Sequence, residues 1–458
     1  MLLAAWLEIV ADWKEIFAQT RTLRRALRQA LGGLVCLGRR TLSRIIWTNG
    51  DQHRSWSAEY FLHSRSHWDA QQLFASILKR ALPLCPGRLI GVAVDDTRLR
   101  KTGLCIQQAF YQRDPLSPPF HCNLMRGLRF LQASLLVPLY RRSPVGSRGL
   151  PIRFQEVSAV KHPRRNAPPS EWKQYRAAIK RFNLSQRFAD MMDQLRAAFD
   201  AAGAIGKILV LAVDGSFCNR TVFAKVVRGV ELIARARKDC VLCFRAEMGS
   251  RRFYAAAKFT PEQVRQDEVI PWRTTKIFYG GKRRKVDYKE VAGIYWQGGA
   301  RRRPLRLLVV RPTRYRKRLS GRFYYRRPAY LLTTLVQGSV AQLLQIYFDR
   351  WQIEVNHREE KDTLGVGQAQ LWNLQSVPKQ PPFMVAAYSA LLLASLLVFG
   401  AERGTAYAPL PKWRRSAKRP SCLDLITLLR KELTEQPQIL TDLKLKLSDR
   451  CLTAAAAA

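Results

Sequence analysis

Two apolar segments that each end in aspartate constrain the fold of this chain most strongly. Residues 89–94 and 208–213 are mostly β-branched or aliphatic, and they are followed by Asp95-Asp96-Thr97 and by Asp214-Gly215-Ser216. Such runs predict central strands that are covered on both faces. Because α/β sheets place their chemistry at the carboxyl ends of strands, the acids are candidate site residues. The alternative is that Asp-Gly is only a turn after a strand.

A third segment, residues 347–361, concentrates charged side chains at helical spacing. Tyr347, Arg350, Glu354 and Lys361 follow one another at offsets of 3, 4 and 7. At roughly 100° per residue they fall within an arc of about 60°, so one stripe of a single helix is expected to bear all four. A carboxylate beside two cations suits a site for a metal and a phosphodiester. The alternative is a solvated helix with i,i+4 ion pairs such as Arg350 with Glu354.

The order Asp, Asp, Glu and the spacing Tyr-x2-Arg-x3-Glu-x6-Lys resemble the insertion-sequence DDE transposases. The resemblance implies an RNase H-like fold in which Asp95 or Asp96, Asp214 and Glu354 are catalytic, metal-binding carboxylates. The family motif Asp-x-Thr favours Asp95, with Asp96 as a competitor for the same role. The resemblance also implies that Tyr347, Arg350 and Lys361 grip DNA phosphates.

The residue types also predict which metal would bind. Oxygen ligands without a compact His or Cys cluster suit Mg²⁺ or Mn²⁺ rather than zinc. Two such ions about 3.5–4 Å apart can activate the attacking oxygen and stabilise the leaving one. When water is the attacking group, this phosphodiester transfer nicks the DNA at the end of the transposable element. When the freed 3′-hydroxyl attacks, the same transfer forms a hairpin or joins the end to target DNA.

The charge of the chain indicates a polyanionic partner. There are 78 Lys and Arg residues against 34 Asp and Glu, for a formal net charge of +44. Such an excess is an electrostatic signature of nucleic-acid binding. A ribosomal or chromatin protein can have the same balance, but 47% apolar residues indicate packed cores rather than a disordered basic arm.

The chain is predicted to be an α/β protein: an RNase H-like mixed sheet flanked by helices, with a β-rich insertion and helical N- and C-terminal regions. The predicted divisions are a helical, DNA-binding N-terminal region, the first part of the catalytic core, the insertion, the second part of the core with the signature helix, and a basic helical C-terminal region. These span residues 1–85, 86–235, 236–335, 336–400 and 401–458, respectively.

The insertion is predicted from the 140 residues that separate Asp214 from Glu354, far more than a strand-to-helix connection needs. The interval alternates aromatic and β-branched residues with charges, which is typical of strands and hairpins. Cations beside aromatic rings indicate contact with nucleic acid, although a charged sheet edge is the alternative. The DNA-binding candidates there are Lys282, Arg283, Arg284, Arg316, Lys317 and Arg318.

Residues 383–399 form an uncharged, mostly apolar run. We interpret it as a buried core helix rather than a membrane span, because it is at the short limit for spanning. The cysteines show no zinc spacing or disulfide framework, and with no secretory signal the expected location is the cytoplasm, bound to nucleoid DNA.

The chain is therefore predicted to be a transposase that cleaves insertion-sequence ends and joins them to target DNA with two Mg²⁺ or Mn²⁺ ions. Its expected partner is double-stranded DNA, both the terminal inverted repeats and the target, with a homodimer in the synaptic complex and no membrane. The alternatives are an inactive, domesticated relative that only binds DNA and an RNase H-like nuclease without strand transfer.

Overall fold

The computed structural model describes residues 1–114, 117–118, 120–140, 146–158, 160–316, 320–414, 417–436, 438 and 441. The predicted DNA contacts Lys317 and Arg318 lie outside these residues, as does most of the C-terminal region beyond Gln436.

The first part of the chain is helical, as expected. It contains α1 (Leu2–Ala11), α2 (Thr20–Val35), α3 (Leu42–Thr48), α4 (Ser57–Ser64) and α5 (Leu73–Ala81). The amphipathic α2 buries its apolar side and leaves Arg21 and Arg24 exposed. Trp6 on α1 donates to the carbonyl of Ala387, and Trp13 packs on Phe383 at 5.9 Å between ring centroids. These helices therefore share a hydrophobic core with a helix from the far end of the chain.

The next elements build the central sheet and its flanking helices. They are β1 (Leu89–Arg100), β2 (Phe110–Arg113), β3 (Leu124–Pro138), β4 (Ser147–Glu156), α6 (Pro169–Phe182), α7 (Leu184–Ala201), β5 (Ile208–Val213), α8 (Arg220–Phe223) and β6 (Val230–Arg235). Strands β4, β3 and β1 pair antiparallel, whereas β1, β5 and β6 run parallel. The order β4-β3-β1-β5-β6 is that of an RNase H-like fold, so the predicted fold class is confirmed.

The segment between β6 and the signature residues is mainly β-structure. It comprises β7 (Leu242–Arg245), β8 (Tyr254–Phe259), α9 (Pro261–Gln266), β9 (Arg273–Tyr279), β10 (Lys282–Ile294), β11 (Leu305–Val310), β12 (Arg314–Arg316), β13 (Phe323–Tyr325) and β14 (Ala329–Thr333). Strands β14, β11, β10 and β9 add to β6 in that order and continue the same sheet. Pairs β7–β8 and β12–β13 are separate hairpins.

The remaining elements are α10 (Val340–Asp349), α11 (Trp351–Arg358), a π turn (Glu359–Thr363), α12 (Gln380–Phe399) and α13 (Cys422–Glu435). Of the described residues, only α12 is long and apolar enough to cross a membrane. Sixteen of its residues are buried, because it packs between the N-terminal helices and β4, where Ser389 donates to the carbonyl of Pro151. Leu2 and Leu3 donate their backbone N–H groups to Glu432 on α13.

Candidate active site

The two aspartate segments lie side by side in the sheet. Parallel pairing of β1 with β5 runs from Leu89–Ile208 to Ala93–Ala212. If this register is continued by two residues, Asp95 lies opposite Asp214, at the spacing of about 4.8 Å between neighbouring strands. Strand β1 itself continues to Arg100 because β3 still pairs with it, so Asp95 lies within a strand, whereas Asp214 ends one.

Side-chain alternation decides which face the acids share. Ala93 packs against Ile353 of α11, and Ala212 packs in a cluster with residues of α10. Because side chains two apart in a strand point to the same face, Asp95 and Asp214 point toward these helices as well. The helices α10 and α11 therefore carry Tyr347, Arg350 and Glu354 onto the face where the two aspartates lie.

Arg350 contacts two of the three acids, Asp95 and Glu354. Its Nη2 lies 3.1 Å from Oε1 of Glu354, and its Nη1 lies 3.8 Å from Oδ2 of Asp95. The Nε atom of the same guanidinium is buried and has no hydrogen-bond partner among the described residues. Burial raises the pKa of the Tyr347 hydroxyl, and the charge of Arg350 opposes the shift.

The charges of the acids act on one another. Burial and the nearby charge of Asp214 raise the pKa of Asp95 to about 7, although Arg350 opposes the shift. Burial also raises the pKa of Glu354, with Arg350 opposing and Asp214 adding to the shift. Asp214 thus acts electrostatically on both other acids, as expected for three carboxylates converging on one place.

The carboxylate of Asp214 is held by the turn that follows β5. Its Oδ1 accepts hydrogen bonds from the backbone N–H of Ser216 at 2.7 Å and from the hydroxyl of Ser216 at 2.6 Å. Asp214 thereby caps the short turn Gly215–Phe217. The role of Ser216 was not predicted, although a Ser two residues after an Asp is a recognisable capping pattern.

Asp96 faces the other way from Asp95, because successive residues of a strand alternate. Its Oδ2 accepts from Nε of Arg129 at 2.7 Å and lies 3.9 Å from Nη2 of Arg98. The backbone N–H of Asp96 donates to Oδ1 of Asp95 at 2.9 Å. The structure therefore groups Asp95, and not Asp96, with Arg350.

The signature segment is not one regular helix. It is divided at Arg350 between α10 and α11, and it ends in the π turn Glu359–Thr363. A π turn holds more residues than an α turn and shifts the phase of those that follow. Lys361 lies in this turn, where burial lowers its pKa and the charges of Glu360 and Asp362 oppose the shift. The expected single helical stripe is therefore interrupted before Lys361, and the contact of Lys361 with DNA phosphates stays a prediction.

The predicted DNA contacts of the insertion lie beside α10. Lys282, Arg283 and Arg284 are exposed at the start of β10, after a turn in which Gly280 and Gly281 both have positive φ. On β9, the backbone of Phe278 exchanges two hydrogen bonds with Gln345 of α10. This pairing fixes the basic hairpin next to the helix that precedes Glu354.

The second basic hairpin, β12–β13, adjoins the first. The guanidinium of Arg316 lies over the ring of Phe323 at 3.8 Å. The guanidinium of Arg326 lies 5.4 Å from the ring centroid of Tyr279 and 5.5 Å from that of Tyr315. Arg326 therefore connects the two hairpins through its contacts with both rings.

Among the described residues, no three His, Cys, Asp or Glu side chains form a group close enough to hold a metal ion directly. The donor types nevertheless fit a hard divalent cation, since the charge of Asp214 acts on both Asp95 and Glu354, and Arg350 pairs with these two acids. Arg350 lies between Asp95 and Glu354, so its guanidinium must give way for both to reach a common ion.

No curated protein is significantly similar in sequence to the chain. Residues 15–252 match the family of DDE superfamily endonucleases. The match covers just over half of the chain and includes Asp95, Asp96 and Asp214, while Glu354 lies beyond it. Together with the RNase H-like strand order, this match shows that the chain belongs to the DDE superfamily endonucleases.

Proposed function

We propose that this protein is a DNA transposase that cleaves the ends of an insertion sequence and joins the freed 3′-hydroxyl to target DNA. The observations that support the proposal are that Arg350 pairs with both Asp95 and Glu354 and that the charge of Asp214 acts on both of these acids. Membership of the DDE superfamily endonucleases supports DNA as the substrate.

The proposed metal ligands are Asp95, Asp214 and Glu354, holding two Mg²⁺ or Mn²⁺ ions. When bound, such ions lower the pKa of an attacking water or hydroxyl and stabilise the leaving oxygen. Their positive charge would favour the ionised form of Asp95, whose pKa burial and Asp214 raise to about 7. Asp96 is left out of the proposed site because Arg129 pairs with it.

The basic side chains have a separate proposed role in holding DNA. Arg350 would exchange its carboxylate partners for a DNA phosphate, and its unpaired, buried Nε gives it a further donor to offer. Tyr347, on whose hydroxyl the charge of Arg350 acts, would bind a phosphate beside Arg350. Lys282, Arg283, Arg284 and Arg316, on the hairpins beside α10, would bind phosphates further along the duplex.

The function is tested by incubating purified protein and Mg²⁺ with a labelled duplex that carries the inverted repeats flanking the gene. A transposase cuts at the repeat end and converts the product into a hairpin or a joined strand. Cutting without either product indicates a nuclease of the same family. Binding without cutting indicates an inactive DNA-binding relative and contradicts the proposal.

Two substitutions identify the site that does the cutting. Asp214→Asn and Glu354→Gln are expected to abolish cleavage while leaving DNA binding intact, because both keep the size of the side chain and remove its charge. Glu268→Gln removes an exposed carboxylate elsewhere and serves as the matched control. Cleavage that survives either site substitution shows that the proposed carboxylate set is wrong.

The proposed setting is the cytoplasm, where the protein would be bound to nucleoid DNA. Bringing two element ends together requires two active sites, and a homodimer is the simplest assembly that supplies them. Measuring the mass of the complex between the protein and two labelled end duplexes tests the dimer. A homodimer predicts two protein chains for each pair of ends.

A further inference from the structure

Helix α6 and the loop before it form an exposed basic surface that the catalytic site does not use. Helix α6 (Pro169–Phe182) has no buried residue. Residues 161–182 contain seven Lys or Arg residues and one acidic residue, Glu171. A helix without a buried face gains little from packing in the free protein, and positive charge of this density favours a polyanionic partner.

The surface is nevertheless ordered by its own aromatic contacts. The ring of His162 in the loop lies 5.1 Å from that of Trp172 and 5.0 Å from that of Tyr175 on α6. These ring contacts hold the loop against the helix. An open groove of about 1170 Å³ lies between them and is lined by residues that include Lys161, Arg164 and Arg165.

The C-terminal end of α6 leads directly into α7, which contacts the turn that holds Asp214. Just after α6, Ser185 in the first turn of α7 accepts a hydrogen bond from Nδ2 of Asn219 at 2.9 Å. The same amide donates to the carbonyl of Ser216, whose hydroxyl in turn donates to Asp214. Phe188 of α7 packs on Phe217 with ring centroids 4.8 Å apart. The first turns of α7, which directly follow α6, therefore contact the turn that positions Asp214.

Three cations on α6 are spaced to follow a nucleic-acid backbone. Lys173, Arg176 and Lys180 are exposed and lie at offsets of 3 and 4, so they fall within an arc of about 60° on the helix. At a rise of about 1.5 Å per residue they extend over about 10 Å, the length of about three nucleotides of one DNA strand.

We propose that α6 and the loop before it form a phosphate-binding arm that holds the backbone of duplex DNA next to the cutting site. The inference rests on the proposed function, because it takes DNA as the partner, but its test does not require cleavage. An acidic protein partner would use the same charges, and binding measurements with DNA distinguish the two.

The test compares two variants that each lose three positive charges. One is Lys173→Gln/Arg176→Gln/Lys180→Gln on α6. The matched control is Arg251→Gln/Arg252→Gln/Lys258→Gln at and beside the β7–β8 hairpin, where all three side chains are also exposed. Affinity for a labelled duplex is measured by fluorescence anisotropy in EDTA at several NaCl concentrations, so that no strand is cut.

Each lost phosphate contact lowers the slope of log affinity against log salt by about 0.9. The α6 variant is therefore expected to bind with a slope shallower by about 2 to 3, whereas the control keeps the wild-type slope. Equal thermal unfolding midpoints for both variants would show that each remains folded. An unchanged slope in the α6 variant, or an equal loss in the control, overturns the proposal.

Cleavage assays with Mg²⁺ at saturating DNA separate this inference from the proposed function. The α6 variant is expected to cut at saturation, because its carboxylates are untouched. If the wild-type protein binds DNA through α6 but never cuts, the arm stands and the transposase proposal fails. If the protein cuts and the α6 variant binds like the wild type, the arm alone is refuted.

Discussion

Nη2 of Arg350 lies 3.1 Å from Oε1 of Glu354, four residues further along the chain. The same guanidinium reaches toward Asp95 on the sheet below. A single cation thus neutralises acids that come from a strand and from a helix. We infer that Arg350 stabilises the two acids in the metal-free protein and would bind DNA when divalent ions neutralise them instead.

This relationship predicts the effect of Arg350→Ala. Loss of the guanidinium removes one charge-assisted contact, worth about 1.4 kcal/mol or tenfold in affinity for the element end. It also leaves Asp95 and Glu354 without their close cation, so their pKa values should rise further. A filter-binding or anisotropy titration with the end duplex checks this. Unchanged end affinity would remove Arg350 from DNA binding.

The orientation of Asp95 and Asp96 predicts different outcomes for two neighbouring substitutions. Asp95→Asn should reduce cleavage by more than about 100-fold, because even residues that only support metal ligands contribute 10–100-fold. Asp96→Asn should retain cleavage and lower the free energy of unfolding by about 1 kcal/mol, since it weakens the pair with Arg129. The reverse pattern would make Asp96 the catalytic acid.

A close approach between β4 and α11 predicts that Gly149 is required for the position of the signature helix. A Cβ at Gly149 would lie 2.6 Å from Oδ1 of Asn356 and 2.9 Å from Cβ of Gln352. Gly149→Ala should therefore displace α11, lower the free energy of unfolding by about 1–3 kcal/mol and reduce cleavage.

Gly206→Ala is the control for this substitution, because nothing lies within 4 Å of a Cβ there. Chemical denaturation and cleavage assays measure both effects. Wild-type cleavage and stability in Gly149→Ala would show that the helix tolerates a larger separation from the sheet.

The buried carboxyl of Glu360 predicts how stability depends on pH. Burial raises its pKa from an ordinary value of 4.5 to about 8, although Gln132 donates to it at 2.8 Å. The folded state therefore holds this proton more tightly than the unfolded state. The associated stability is complete below pH 4.5 and is lost as the pH rises through about 8.

Glu360→Gln removes that titration. Compared with the wild type, the variant should lose less stability between pH 6 and pH 9, as measured by urea denaturation at fixed ionic strength. Parallel pH profiles for the two proteins would mean that Glu360 is ionised in the folded state throughout this range.

Much of the central fold could be predicted from the sequence, because the apolar runs at residues 89–94 and 208–213 indicate the buried strands β1 and β5. Asp95 and Asp214 each directly follow one of these apolar runs, which indicates that both acids lie at the same edge of a parallel sheet. The path of β1 beyond Asp95 could not be predicted, since it depends on pairing with β3, which is distant in the chain. Likewise, the insertion was predicted as β-structure, but not as a continuation of the central sheet.

The site was predicted less completely where the structure departs from ideal geometry. The helical period alone places Lys361 with Glu354, and the π turn at Glu359–Thr363 changes that phase without an evident signal in the sequence. The position of Arg235, whose charge acts on Tyr347, depends on β6 pairing with β5 and is equally invisible beforehand. Buried polar contacts beneath α11, such as Ser134 with Asn356, also join segments far apart in the chain.

The central claim is that Asp95, Asp214 and Glu354 form one site for divalent cations. The most direct test is a crystal structure of the protein soaked in Mn²⁺, with the ions located by anomalous scattering. We predict ions within about 2.0–2.6 Å of oxygens from all three residues, with the guanidinium of Arg350 displaced. Ions bound elsewhere, or none at a Mn²⁺ concentration that supports DNA cleavage, would contradict the account.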